Sequence, residues 1–126
     1  MNKNYLSWGN YPRVTQKVHE FHWRSDPFPD LDIHNNVVPY GLGRSYGDVC
    51  LNEGGTILST TSMSKFIAFD EEKGIIRCDA GVCLNDLLQI IVPRGWFVPV
   101  TPGTRYVTIG GMIANDVHGK NHHRVG

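Results

Sequence analysis

The sequence has no excess of either charge: 12 Lys and Arg stand against 12 Asp and Glu. A chain that binds phosphate backbones needs surplus cations to neutralise them, so nucleic acid is not an expected partner. It has no paired cysteine motif either. Its 3 cysteines, Cys50, Cys78 and Cys83, are odd in number and contain no C-x-x-C. That argues against a disulfide framework or a cysteine zinc site and suits free thiols in a reducing compartment. No apolar run approaches the ~18 residues of a membrane-spanning helix. Residues 1–14 lack the apolar stretch and small-residue cleavage site of a secretory signal. The expectation is a cytoplasmic protein without a transmembrane segment, with attachment at the membrane periphery left open. Repeats and low-complexity stretches are absent. Charged residues make up only 19% against 40% hydrophobic, too little charge for a disordered tail and enough apolar mass for a core.

What the sequence does have is turn formers, with 14 Gly and 7 Pro. Residues 1–35 are aromatic-rich and without clear period; 14–23 reads as a strand or a short helix, and 25–32 as a loop. From Asn36 the pattern sharpens. Val37 to Tyr40 reads as a buried strand leading into a glycine-dense segment. Thr56–Thr60, Phe66–Phe69 and Ile75–Asp79 read as strands of one meander, with a polar turn at Asp70–Gly74. Leu84, Leu87, Leu88, Ile91 and Val92 recur at helical spacing. Asn85 and Asp86 offer acceptors at that helix's start, and Pro93 with Gly95 stops it. Trp96–Val100 reads as a further strand. Ile109–Val117 reads as a helix of one to two turns with Thr108 as its N-cap, and 118–126 as a loop. The expected class is α+β, with more strands than two helices can cover, as in a sequence cut partway through a larger fold.

Two glycine motifs point to an anionic ligand. In Gly41-x-Gly43-x-x-x-Gly47 the spacing is one residue too long for a dinucleotide-binding turn, and no helix follows to face a pyrophosphate. Consecutive backbone N–H groups in a tight glycine loop bind anions without a helix, however, and Arg44, Ser45 and Tyr46 add side-chain donors. A plain inter-strand turn is the equal alternative. The second motif runs from Thr101 to Gly111. Gly110 and Gly111 fall in the first turn of the short helix, where glycine is costly, so something is expected to approach that backbone closely. A helix N-terminus with free N–H groups favours phosphate, and the two loops together suit a diphosphate. A third segment, His118-Gly119-Lys120-Asn121-His122-His123, admits metal, plain surface and pocket-lining readings. No Asp, Glu or Cys completes a ligand set, and the assigned metal ligands are none. His19 and His22 carry no assigned role.

Taken in order, Gly-Leu-Gly-Arg-Ser-Tyr-Gly-Asp at 41–48, Asp-Ala-Gly-Val at 79–82, Val-Pro-Val-Thr-Pro-Gly-Thr-Arg at 98–105, Val-Thr-Ile-Gly-Gly at 107–111 and Asn-Asp-Val-His-Gly-Lys-Asn-His-His at 115–123 resemble the N-terminal FAD-binding (PCMH-type) part of the vanillyl-alcohol-oxidase / p-cresol-methylhydroxylase superfamily. Within it, the sequence is most similar to the decaprenylphosphoryl-ribose oxidase group of FAD-linked oxidoreductases. The resemblance is strong over 36–123 and weak over 1–35, where Trp8-Gly9 also resembles the group. It implies the first half of a PCMH-type FAD-binding domain, truncated and without its substrate domain: an unassigned segment 1–35 and a partial FAD-binding domain 36–126.

The resemblance also implies a set of cofactor contacts. It wraps residues 39–48 around the diphosphate, with Gly41, Leu42, Gly43, Arg44, Ser45, Tyr46, Gly47 and Asp48 as the contacts, followed by Gly103, Thr108, Ile109, Gly110, Gly111, Asn115, Asp116, Val117 and His118. His118 and Lys120 are the catalytic candidates, able to polarise a substrate hydroxyl or the reduced flavin. Arg44 occupies the place where many members carry the histidine that bonds the flavin, so non-covalent FAD is expected. The implied activity is hydride transfer to FAD from a hydroxyl of a sugar, sugar lactone or polyprenyl-phosphate-linked sugar. The implied partners are a small-molecule or lipid-linked sugar substrate and a reductase or the remaining C-terminal domain. The alternative is a truncated, non-catalytic FAD-binding fragment.

Overall fold

The structure is a computed structural model that describes residues 5–30 and 36–125. The last two residues of the expected 25–32 loop, Gly126, and parts of the segment assigned to 1–35 lie outside the described residues. The chain divides into two compact units between Met63 and Ser64. Both helices and strands are present, as the α+β expectation requires.

The first unit is built on three short strands, β1 (Lys17–Glu20), β2 (Val37–Tyr40) and β3 (Thr56–Ser59). They form a parallel sheet in the order β1-β3-β2. Thr56 stands level with Lys17 on one side and Val37 on the other. The central position of β3 follows from its sequence, because Ile57, Leu58 and Ser59 are all buried and an apolar run of this kind needs a neighbour on each edge. Pro39, which cannot donate to a ladder, sits on the edge strand β2. The expected meander over 56–79 is therefore corrected: β3 pairs with strands that precede it in sequence and lies in a different sheet from the two that follow. Such non-local parallel pairing leaves no periodic trace in the sequence.

Parallel neighbours require a crossover, usually a helix. Between β2 and β3 it is the irregular segment 41–55. Its returning end is held down by buried Asn52, whose Nδ2 donates to the Asn36 carbonyl at 2.7 Å and the Thr56 carbonyl at 3.0 Å. The Asn52 backbone N–H donates to Gln16 Oε1 at 2.9 Å, and the Gly54 N–H to the Thr15 carbonyl at 2.8 Å.

The second unit begins with an antiparallel hairpin, β4 (Phe66–Asp70) and β5 (Ile75–Cys78). The helices α1 (Leu84–Ile91), α2 (Ile109–Ala114) and α3 (His122–Val125) follow. Val82, Leu84, Leu87 and Ile91 form its buried centre, with Phe69, Ile76, Val98, Val107 and Met112 packed around it. Burial of each large aliphatic side chain contributes about 1.5–3 kcal/mol. Gly95 ends a 3-10 turn at Val92–Arg94 in the left-handed region, φ 81°, so the expected stop is where the sequence puts it.

Three expectations for this unit are corrected. Asn85 does not cap α1. Its side chain turns to Asp86, and the Leu84 and Asn85 N–H groups donate instead to the carbonyls of Val107 and Arg105 at 2.8 and 2.9 Å. Trp96–Val100 is not a strand. The Trp96 indole donates to the Glu71 carbonyl at 3.0 Å and lies against Gly74, where a Cβ would run into its ring. The segment thus covers the hairpin turn instead of extending a sheet. The 118–126 segment is not wholly a loop, since His122–Val125 close a short helical turn.

Candidate functional site

The glycine-dense segment leaves the carboxyl end of β2, the end of a parallel sheet outside which ligands characteristically bind. Gly43 and Gly47 both take left-handed backbone, φ 63° and 61°. Among the described residues, no backbone N–H from Gly41 to Asp48 donates to another group of the chain. Eight consecutive N–H groups without an internal acceptor, bent by two left-handed glycines, make the kind of concavity that receives an anion. Arg44, Tyr46, Gly47 and Asp48 are exposed, and Leu42 and Ser45 half-buried. Tyr46, 96% exposed, presents its whole ring and hydroxyl to whatever the loop meets.

The base of this loop is tied to the 5–6 segment and to β1. Tyr40 at the end of β2 is buried, and its hydroxyl donates to the Leu6 carbonyl at 2.7 Å. Tyr5 packs edge-on against it with ring centroids 5.2 Å apart, and the Tyr5 hydroxyl donates to Glu20. Gly43 fits against this pair so closely that an added Cβ would collide with the Leu6 carbonyl and lie 2.5 Å from the Tyr40 hydroxyl. Burial raises the pKa values of the Tyr40 and Tyr5 phenols and of the Cys50 thiol above their ordinary values. Arg44 Nη1 donates to the Leu42 carbonyl at 2.5 Å, which leaves most of its donors available. The resemblance reaches Tyr40, within 39–48, and Trp8-Gly9; what sequence reasoning missed is that Tyr5 and Leu6 anchor the loop through Tyr40. For Tyr5 and Leu6 the signal is only the aromatic density of residues 5–11.

In the second unit the short helix α2 carries the expected cap: Thr108 Oγ1 accepts the Gly111 N–H at 3.0 Å. The expected free N–H groups are corrected. Ile109 donates to the Val82 carbonyl at 2.9 Å, Gly110 to the Ala80 carbonyl at 2.8 Å, and Met112 to the Thr108 carbonyl at 2.9 Å. The close approach that explains Gly110 is made by Ala80, whose Cβ and carbonyl oxygen would lie 3.0 and 3.1 Å from a Cβ at 110. Gly103 is exposed and has open space beside it.

The helix ends sooner than Val117. Val117 N–H donates to Met112 and Asp116 N–H to Ile113, at 3.0 and 3.1 Å, with Asp116 in the left-handed position, φ 47°. This is a Schellman closure with aspartate where glycine is usual. Asn115 Nδ2 donates to the Gly111 carbonyl at 2.8 Å. His118 Nδ1 lies 2.6 Å from the Asp116 carbonyl. A carbonyl can only accept, so Nδ1 carries the proton, and Nε2 of the neutral ring is an acceptor. Lys120 is exposed on the next turn. The His118 and His122 rings are 5.8 Å apart. Among the described residues no three His, Cys, Asp or Glu side chains are grouped to hold a metal ion.

A family model described as FAD binding domain matches residues 33–126. Over 90 residues the chain is 46% identical to decaprenylphosphoryl-β-D-ribose oxidase of Mycolicibacterium smegmatis, covering 71% of this chain and 20% of that protein. It is 36% identical over 66 residues to a D-lactate dehydrogenase of Anaerostipes hadrus, 52% of this chain and 14% of that one. It is 32% identical over 84 residues to D-2-hydroxyglutarate dehydrogenase of Escherichia coli, 66% of this chain and 8% of that one. The chain thus spans a fifth or less of the length of these relatives.

Proposed function

This chain belongs to the FAD-binding domain family, and from that premise we propose that it holds the diphosphate of FAD in the loop 41–48 as part of a flavin-dependent oxidoreductase acting on a hydroxyl of a sugar, sugar lactone or polyprenyl-phosphate-linked sugar. The observation that carries the reading is the row of N–H groups from Gly41 to Asp48 that find no acceptor among the described residues. They and the Arg44 guanidinium suit the charge and the several acceptor oxygens of a diphosphate. The sugar substrate class rests on the 46% identity to an oxidase of a decaprenylphosphoryl-β-D-ribose.

Bound FAD supplies the hydride acceptor; the chain's own residues bind and orient. Residues 41–48 donate N–H groups to the cofactor. The first N–H groups of α2 are already bonded within the chain, so Thr108–Gly111 does not act as a phosphate donor. Asn115, Asp116 and Val117 hold the turn that presents His118. The Nδ1 proton of His118 is tied to the Asp116 carbonyl, so its Nε2 is the atom that accepts a hydrogen bond from a substrate hydroxyl. Lys120 adds a positive charge on the same turn. Arg44, in place of a flavin-linking histidine, leaves the cofactor non-covalent.

The test is purification of the intact protein with its yellow chromophore, followed by anaerobic reduction with sugar lactols, lactones and 2-hydroxy acids. Bleaching by the sugar class supports the reading. Bleaching by D-lactate or D-2-hydroxyglutarate alone moves the substrate assignment to the class named by the other relatives. A colourless protein that takes up no FAD overturns it.

A further inference from the structure

The 5–11 segment reaches the cofactor loop at two points. Leu6 accepts the Tyr40 hydroxyl at the loop's base. The Trp8 ring then lies under the guanidinium of Arg44, with Cζ 4.9 Å from the ring centroid. Trp8 itself is 62% exposed, so the core does not demand a large aromatic there. The hydrogen bond from Arg44 Nη1 to the Leu42 carbonyl fixes one edge of the guanidinium, and the indole fixes its plane. An arginine held at both an edge and a face has lost most of its rotameric freedom before any ligand arrives, and its remaining donors point in one plane.

We infer that Trp8 is a positioning residue for cofactor binding: it stacks on Arg44 and presets the guanidinium toward the anion held by residues 41–48. This rests on the reading of that loop as the diphosphate site. The mechanism is preorganisation. Ordering a long side chain is a cost of binding, and the stack meets that cost in the free protein. A lysine at 44 keeps the charge but has no plane to stack.

The experiment measures FAD dissociation constants for the intact apoprotein carrying Trp8→Ala, Trp8→Phe, Arg44→Ala and the Trp8→Ala/Arg44→Ala pair, alongside apo thermal midpoints and the NMR shifts of the Arg44 side-chain protons. Trp8→Ala is expected to weaken FAD about two- to fivefold, the range of an exposed cation–π contact. Trp8→Phe should restore most of the loss, and in the Arg44→Ala background Trp8→Ala should have no further effect. The Arg44 Hδ protons should lie upfield in wild type and relax in Trp8→Ala without FAD present. Equal loss from Trp8→Ala in both backgrounds, failure of Trp8→Phe to rescue, or a weakened affinity that only tracks a lower apo midpoint would each overturn the inference. A shifted Arg44 signal with unchanged FAD affinity would show the stack while refuting its role. Absence of FAD binding by wild type would instead refute the loop reading and the inference with it.

Discussion

Gly43→Ala is the sharpest perturbation of the cofactor loop. Two separate terms add at this residue. Its φ of 63° places an alanine in the left-handed region, at a cost of about 1–2 kcal/mol. The new methyl also meets the Leu6 carbonyl and lies 2.5 Å from the Tyr40 hydroxyl. Either atom can move only by breaking the bond between them, which is worth about 0.5–1.5 kcal/mol net. The expected destabilisation is therefore about 1.5–3.5 kcal/mol, measured as a lowered urea midpoint at unchanged m-value. Gly47→Ala is the internal control. Its φ is 61° but no atom lies within 4 Å of the added Cβ, so only the left-handed term applies, about 1–2 kcal/mol. FAD affinity should fall in both variants, since both bend the row of N–H groups. If Gly43→Ala and Gly47→Ala destabilise equally, the packing of the loop base on Tyr40 and Leu6 is refuted.

Other outcomes follow from the same contacts. Gly110→Val should destabilise the protein by about 1–3 kcal/mol through its collision with Ala80, with apo stability and FAD affinity falling together; loss of FAD affinity with intact apo stability would restore direct contact between phosphate and this glycine. Asp116→Gly should relieve left-handed strain and raise apo stability by up to about 1 kcal/mol, while a catalytic turn that needs the aspartate would show the gain accompanied by slower flavin reduction. Burial raises the Tyr40 and Cys50 pKa values above the ordinary 10.0 and 9.0, so the folded state holds these protons more tightly. Their contribution to stability is full below about pH 9 and is lost as pH rises through the raised values; a urea midpoint that climbs from pH 8 to pH 10 would contradict this. Acid denaturation and filtration should separate all yellow colour from the polypeptide, because Arg44 cannot make the covalent link.

The parts of this fold with local causes were legible in the sequence. The strands at 37–40, 56–59, 66–70 and 75–78, the α1 periodicity, the Thr108 cap and the stop at Gly95 each follow from propensities or side chains within a few residues. What was not legible depends on distant partners. The parallel pairing of β3 with β1 joins segments far apart in sequence, and the irregular Trp96–Val98 stretch is set by the Glu71 carbonyl and Gly74. The candidate site was less legible. The spacing of the first glycine loop read equally as an anion cradle or a plain turn, and the left-handed backbone at Gly43 and Gly47 is visible only in the structure. The meaning of Gly110 was not legible either, because the group that approaches it is Ala80, and a tight approach by the chain itself leaves the same glycine signature as an approach by a phosphate.

That ambiguity makes hydrogen exchange of the intact protein, with and without FAD, the most direct test of the central claim. The N–H groups of Leu42–Asp48 have no internal acceptor among the described residues, whereas those of Ile109–Met112 are all bonded within the chain. FAD should therefore slow exchange strongly across 42–48 and leave 109–112, already protected in the apoprotein, nearly unchanged. Protection gained at 109–112 while 42–48 continues to exchange freely would contradict the assignment of the diphosphate to the first loop.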